Sequence, residues 1–279
     1  MRQLVAQLGV GIRDDGFVSA DDLGLNRGDG CFDATLVRVD GGRVTADFVE
    51  LHLERLTASA RILEMPAPDL DAWRALIDDA LVAWAERGGG EAVLKLVYTR
   101  GNESVPGPPL GLLTITDFHA SRAAAVAATM SAGRTVDALN DAPWLLGGAK
   151  TLSYAVNMSY AREAARRGAG DAILVSTDGY VLEGPRAGVL VLRAGRLIST
   201  PPKEAAILDS ITVRKALAGW QEQGGEAAYE LFTVQDMLTA DGVWLASSGR
   251  GIVPVASIDG VEIAQDQEAT QQLRELVRP

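Results

Sequence analysis

Cysteine is almost missing from this chain. Cys31 is the only one in 279 residues, which excludes an intramolecular disulfide framework and a cysteine-based zinc site. Histidine is nearly as scarce: His52 and His119 are the only two, too few for a His-rich metal centre, so no metal is expected. Cationic residues are outnumbered, with 26 Lys and Arg against 37 Asp and Glu and a net charge of −11; the sequence pI is about 4.7. Nucleic-acid and anionic-membrane binders normally carry a basic excess, so neither partner is expected. A small anionic substrate stays open, because a few local arginines can override the global field. No apolar run reaches the roughly 18 residues that a membrane span needs, and no charged-then-apolar leader opens the sequence. The expectation is a soluble, cytoplasmic protein.

What is present reads as an ordinary globular chain, 47% hydrophobic and 23% charged, long enough for two domains or one large one. There are no internal repeats. Residues 31–39 (CFDATLVRV) read as a strand, and Asp40-Gly41-Gly42 as a hairpin turn. Residues 47–63 carry a helical period through Phe48, Leu51, Leu56 and Ile62, ended by Pro66 and Pro68. A second helix covers about 69–86 and stops at three glycines, 88–90; strands follow at 92–99 and 112–116. The Ala-rich stretch around 117–135 has no amphipathic pattern and reads as the crossing between domains. A helix is expected over about 151–167, with Thr151 or Ser153 as its cap and Gly168 as its stop. Short strands at 172–176, 180–184, 189–193 and 196–200 read as successive hairpins. A helix begins near Ser210, and strand returns over 243–258. The expected architecture is α+β: a smaller domain over 1–118, a linker over 119–129 and a larger domain over 130–279 that carries Lys150.

Lys150 stands in LLGGAKTLSYAVNM and is the only charged residue between Asp141 and Arg162. A lysine in a poorly hydrated setting is desolvated more as ammonium than as amine, so its pKa falls and the free amine serves as nucleophile and base. The plainer alternative is a lysine whose ammonium reaches solvent along its stem. Glu183, before the Gly184-Pro185 break, could hold a heterocyclic nitrogen protonated, or could be an exposed loop acid. His52 and Arg55 share one side of the first long helix at i, i+3; there Arg55 could clamp a phosphate or pair with Glu50 or Glu54. Two segments offer backbone amides to an anion: Ser210-Ile211-Thr212 at a helix start, and the small-residue turn ASSGRG at 246–251.

In order and spacing, the segments RGDGCFDATLVRVDGG, LHLERLTASARIL, YTRG, AKTLSYAVNM, GDAILVSTDGYVLEG, TPP, ITVR and SSGRGIVPVASIDG resemble the fold-type IV pyridoxal-phosphate enzymes. That family includes D-amino acid and branched-chain aminotransferases and aminodeoxychorismate lyases. The resemblance implies the D-amino acid aminotransferase-like fold, pyridoxal 5′-phosphate as cofactor and a homodimer. It makes Lys150 the cofactor-bearing lysine and Glu183 the partner of the pyridine nitrogen. Arg55, Ile211, Thr212, Ser248 and Gly249 would bind the cofactor phosphate. Arg100, in YTRG, would hold a substrate carboxylate, with Arg38 and Arg250 as weaker candidates. Tyr154 follows Lys150 by four residues; that spacing could put it on the same side of the helix start and makes it a further substrate-binding candidate. One departure stands out: where many members carry asparagine five residues after the glutamate, this chain has Gly188.

The segments look most similar to aminodeoxychorismate lyases, which expel pyruvate from 4-amino-4-deoxychorismate and leave p-aminobenzoate, a step of folate biosynthesis. The alternative is an aminotransferase for D-amino or branched-chain amino acids. A non-catalytic binding module on the same fold is a third reading, against which Lys150, Glu183 and Arg55 argue.

Overall fold

The computed structural model describes residues 2–13, 18–119 and 121–279. They form two compact units: residues up to Ala120 together with Ala149–Tyr154 and Pro279, and Ser121–Gly148 together with Ala155–Arg278. The expected division is corrected in two respects. Residues 125–131, partly assigned to a linker, are a strand, and Lys150 packs with the first unit rather than the second.

The first unit is built on one antiparallel sheet of β1 (Gln3–Gln7), β2 (Gly11–Arg13), β3 (Gly30–Asp40), β4 (Arg43–Ala46), β5 (Ala92–Thr99) and β6 (Leu110–Asp117). Their order across the sheet is β2-β1-β6-β5-β3-β4. The β3–β4 hairpin closes at Asp40↔Arg43. Gly41 and Gly42 supply the two positive φ angles, 55° and 85°, that a tight primed turn requires. A short turn of helix, α1 (Leu23–Asn26), precedes β3 and is capped by Asp22. Two long helices, α2 (Val49–Ile62) and α3 (Leu70–Glu86), cover one face of the sheet. Alternation decides which face: Cys31, Asp33, Thr35 and Val37 of β3 and Leu94, Leu96 and Tyr98 of β5 are buried. Leu53 and Leu56 of α2 and Trp73, Ile77 and Trp84 of α3 complete this core. The opposite face, with Phe32, Ala34, Lys95 and Val97, is only half-buried.

The second unit carries an eight-stranded mixed sheet. Its strands are β7 (Ala125–Ser131), β8 (Asp171–Val175), β9 (Gly188–Arg193), β10 (Arg196–Ser199), β11 (Glu226–Tyr229), β12 (Gly242–Ser247), β13 (Gly251–Ile258) and β14 (Val261–Glu262). The order is β11-β10-β9-β12-β13-β7-β8, with β14 beside β13. β7 lies between β13 and β8 and is parallel to both. Ala127, Ala128 and Met130 are all buried, consecutive residues included. A parallel strand covered on both faces shows no alternation, which is why this segment reads as a crossing in the sequence. Helices α4 (Ala155–Arg166), α5 (Ile211–Glu222), α6 (Val234–Leu238) and α7 (Gln267–Leu276) complete the unit. Residues 180–184 are not a regular strand. They fold back on β8 through Leu182 N–H to Leu174 O and Leu174 N–H to Glu183 O, both 2.8 Å. Among the described residues no helix is long and apolar enough to cross a membrane.

Candidate active site

In the first unit the segment around Lys150 is extended, not helical. β4 pairs only with residues 37–40 of β3, so the same edge of β3 is open at residues 30–32. Lys150–Leu152 take that edge: Phe32 donates to Lys150 O at 2.9 Å, Leu152 donates to Gly30 O at 2.8 Å, and Cys31 bridges Thr151. The Lys150 amide itself donates to Ser59 Oγ of α2 at 3.1 Å. Neither Thr151 nor Ser153 caps the helix as expected. Thr151 is in the bridge, Ser153 Oγ donates to Gly28 O at 3.2 Å, and α4 starts only at Ala155. Edge pairing satisfies the backbone of 150–152 in a way that local capping signals do not reveal.

Because Thr151 pairs with Cys31, Lys150 and Phe32 project from the other, half-buried face. There the Lys150 Nζ stands 4.6 Å from the centroid of the Phe32 ring and 5.6 Å from that of Tyr154. The two rings meet edge to face at 5.2 Å. The lysine's backbone is thus pinned by β3 and α2, while its ammonium end lies among aromatic carbon.

Arg55 of α2 faces the buried side of the sheet. Its Nε and Nη2 donate to the two carboxylate oxygens of Asp33 at 2.8 Å each. His52, on the same side of the helix, makes a 2.7 Å hydrogen bond from Nδ1 to Asp33 Oδ1. Burial alone pushes the Asp33 carboxyl up, but the Arg55 guanidinium and the His52 bond outweigh it and hold the group well below the usual carboxylate range. Glu50, the acid that sequence spacing offered to Arg55, pairs with Arg74 instead. Arg55 and Ser59, the residue that receives the Lys150 amide, are four apart on α2 and share a side.

The three arginines expected to hold a substrate carboxylate each have an acidic partner already. Arg38 forms a fork with Asp47 at 2.8 Å. Arg100 donates to Asp29 at 2.6 and 3.2 Å and also to the Leu63 and Glu64 carbonyls at 2.6 and 3.2 Å. Arg250, in the second unit, pairs with the buried Asp171.

The second unit holds Glu183, Ile211, Thr212, Ser248 and Gly249. Glu183 is fixed through its backbone to β8, and Asn157 of α4 donates to Pro185 O at 2.8 Å, tying down the turn that follows. Arg134, donating to the carbonyls of Thr135, Val136 and Ala205, is pushed down in pKa by burial, and its attraction to Glu183 opposes that shift. At the start of α5, Ser210 caps the Val213 amide. That leaves the Ile211 and Thr212 amides as first-turn donors at the positive end of a twelve-residue helix. Residues 248–250 form the turn joining β12 to β13, which closes at Ser247↔Gly251.

Gly188 connects these features. It pairs with Ala246, two residues before the turn, and a Cβ at Gly188 would lie 2.6 Å from Val213 Cγ2 and 3.4 Å from Ser210 Cβ. The α5 start and the 248–250 turn therefore share one end of β9 and β12. Val213 fills the volume that a side chain at position 188 would need.

Asp33, Ser59, Asn157 and Arg134 are the positions that sequence reasoning passed over. Asp33 alone left a trace, as an acid at an inward place in an alternating strand. Among the described residues no group of three or more His, Cys, Asp or Glu side chains is placed to hold a metal.

Residues 30–258 match the amino-transferase class IV family. A bifunctional aminodeoxychorismate lyase / D-amino acid transaminase of Mycobacterium tuberculosis is 40% identical over 251 residues, 86% of each chain. The PLP-bound form of a hypothetical aminotransferase from Mycobacterium tuberculosis superposes with a TM-score of 0.91 at 38% identity, over 98% of this chain and 97% of that one. A fold IV-transaminase from Curtobacterium pusillum gives 0.91 at 33% identity, over 99% and 97%. The chain belongs to the class IV aminotransferase family, the pyridoxal-phosphate-dependent enzymes of fold type IV.

Proposed function

We propose that this enzyme is a 4-amino-4-deoxychorismate lyase, acting as a cytoplasmic homodimer. The observation that carries the reading is the 40% identity, over 86% of both chains, to a relative whose name includes that activity.

The residues present fit pyridoxal phosphate. One lysine has its backbone locked and its amine among aromatic carbon, a helix start and a small-residue turn lie at one end of β9 and β12, and an arginine is held rigid by a buried acid. In this reading the Ile211 and Thr212 amides, Ser248, Gly249 and Arg55 take the phosphate, and Glu183 accepts a hydrogen bond from the ring nitrogen. When bound, the cofactor supplies an electron sink next to the substrate's amine-bearing carbon. Lys150 would hold the cofactor in the resting enzyme and, once its amine is free, would take the proton from that carbon. In the lyase reaction the electron pair left behind expels the enolpyruvyl ether oxygen. The ring becomes aromatic as p-aminobenzoate, and the enol gains a proton to become pyruvate. In amino transfer Lys150 delivers the same proton to a different carbon and a keto acid leaves.

Amino transfer is the second reading, favoured by the double name of the same relative. One assay separates them. Aminodeoxychorismate is supplied without a keto-acid acceptor, and pyruvate is followed through lactate dehydrogenase. Pyruvate equimolar with p-aminobenzoate is expected. No pyruvate, with brisk transfer from D-alanine or a branched-chain amino acid, overturns the lyase reading. Lys150→Ala is expected to abolish turnover and the visible absorbance that depends on the lysine; a wild-type protein without such absorbance would instead be a binding module. The dimer is supported by apolar side chains left in solvent on the second unit, Trp144, Leu145, Val156 and Met158. A monomeric mass in solution with full activity would contradict it.

A further inference from the structure

Among the described residues, Arg250 is the one member of the 248–250 turn whose side chain makes a hydrogen bond. Its Nη2 meets Asp171 Oδ2 at 2.5 Å. Asp171 opens β8, and its side chain is 7% exposed against 26% for Arg250. The other oxygen of Asp171 accepts the Ala172 amide at 3.1 Å, so the acid is itself held in place. The pair is not a contact of the ladder. β7 lies between β13 and β8, and Asp171 is level with Ala127 and through it with Ile258, at the end of β13 far from Arg250. The arginine ties a turn to a strand that the sheet register keeps apart.

That tie closes a circuit. Along β8 from Asp171, the Leu174 amide donates to Glu183 O at 2.8 Å. The next residue, Gly184, donates to Ala187 O at 2.7 Å, and a Cβ on it would lie 3.0 Å from Ala172 O. Gly188 pairs with Ala246, and Ser247 pairs with Gly251 across the turn. Arg250 then leads back to Asp171. The other links of this circuit are backbone; the ion pair is its side-chain link. Glu183, expected at the pyridine nitrogen, and the Ser248-Gly249 turn, expected at the phosphate, thus belong to one closed chain of contacts. Nitrogen and phosphate are parts of one small molecule, so the groups that serve them must keep one spacing.

We propose that the Asp171–Arg250 ion pair is a positioning clamp that fixes the Ser248-Gly249 turn relative to Glu183. Arg250 acts on the cofactor phosphate through the turn and touches no ligand. This rests on the assignment of the turn to the phosphate and of Glu183 to the ring nitrogen. A three-residue turn that contains glycine is conformationally free unless something holds it. Donors ordered before the ligand arrives bind it more tightly, because less entropy is lost on binding.

The test is a titration of the cofactor-depleted full chain with pyridoxal phosphate and with pyridoxal, which lacks the phosphate, followed by the visible absorbance of the bound form. The wild type is expected to prefer pyridoxal phosphate. Arg250→Met and Asp171→Ala should each weaken it at least about tenfold, the worth of one charge-assisted hydrogen bond, and weaken pyridoxal less than about threefold. The double variant should lose no more than about twofold beyond the worse single one, because both changes remove the same tie. Arg250→Lys can still pair through a single donor and should stay within about threefold of the wild type. Where Asp171→Ala does not fold, Asp171→Asn keeps the shape and carries the same comparison.

An Asp171 variant with wild-type affinity beside a weakened Arg250→Met overturns the proposal, since Arg250 then meets the ligand itself. So do losses that add in the double variant. Equal losses of pyridoxal phosphate and pyridoxal overturn it as well, because a general loosening of the fold gives that result. A wild type that binds pyridoxal phosphate no better than pyridoxal defeats the phosphate assignment together with the clamp. A wild type that prefers the phosphate, with variants that prefer it equally, defeats the clamp alone.

Discussion

Asp33 grips Arg55 through two parallel hydrogen bonds of 2.8 Å, and the acid is completely buried while the arginine's side chain is 11% exposed. An ionised carboxylate only accepts, so the His52 Nδ1 that lies 2.7 Å away must carry the proton and donate it. The cation expected to meet a phosphate is therefore aimed from behind by an acid on the neighbouring strand. Guanidinium geometry makes this possible: a planar fork uses one edge for Asp33 and presents the rest of the group in a fixed direction.

Asp33→Asn keeps the shape and removes the charge. Breaking a buried ion pair by neutralising one partner typically costs about 3–5 kcal/mol, and a loss of that order is expected in urea denaturation of the cofactor-free protein. Affinity for pyridoxal phosphate should fall as well, because Arg55 loses its brace. The pH dependence follows in sign. The Asp33 carboxyl is depressed in the folded state, so its contribution is complete above the unfolded value of about 4 and is lost only as pH falls through the folded value. The stability difference between wild type and Asp33→Asn should be flat from pH 8 to pH 5 and shrink below about pH 4. A difference that vanishes already at pH 6 would contradict the assignment.

The periodic helices and the alternating strands could be read directly from the sequence, and the residues Lys150, Glu183 and Arg55 stood out because their types fit one cofactor. Partnership could not be read. Arg55 is 22 positions from Asp33 and 5 from Glu50, and local spacing favours the nearer acid; only the packing of α2 on β3 selects the farther one. Lys150 sits before a stretch with every local sign of a helix start. Its backbone is instead claimed by the edge of β3 more than a hundred residues earlier, a long-range pairing without a local signature. β7 was hidden for a different reason: burial on both faces removes the alternation by which strands are recognised.

Gly188 gives a prediction about packing beside the start of α5. A Cβ there meets Val213 Cγ2 at 2.6 Å, closer than real contacts allow. Gly188→Asn should therefore destabilise the second unit by about 1–3 kcal/mol, the usual range for overpacking, and displace the start of α5 with its Ile211 and Thr212 amides. Thermal denaturation and pyridoxal-phosphate affinity both respond to this. Shortening the obstructing side chain in the pair Gly188→Asn with Val213→Ala should recover part of both losses. A single Gly188→Asn as stable as the wild type would show that Val213 does not occupy the asparagine's place.

Cys31 supplies the last prediction. It lies on the buried face of β3 beside Asp33, and burial first, then the Asp33 charge, push its thiol up to about 12. The reactive species is the thiolate, so a thiol reagent at pH 8 should leave the native enzyme untouched and modify one thiol per chain on denaturation. Stability should follow the same titration. A thiol whose folded pKa is raised contributes fully below its unfolded value of about 8.5, and that contribution is lost as pH rises from there toward the folded value. Cys31→Ala lacks this titration, so its stability relative to the wild type should improve steadily between pH 8 and pH 11 in denaturation midpoints. Rapid labelling of the native wild type at pH 8, or parallel stability profiles for the two proteins, would contradict a thiol held neutral against the underside of the site.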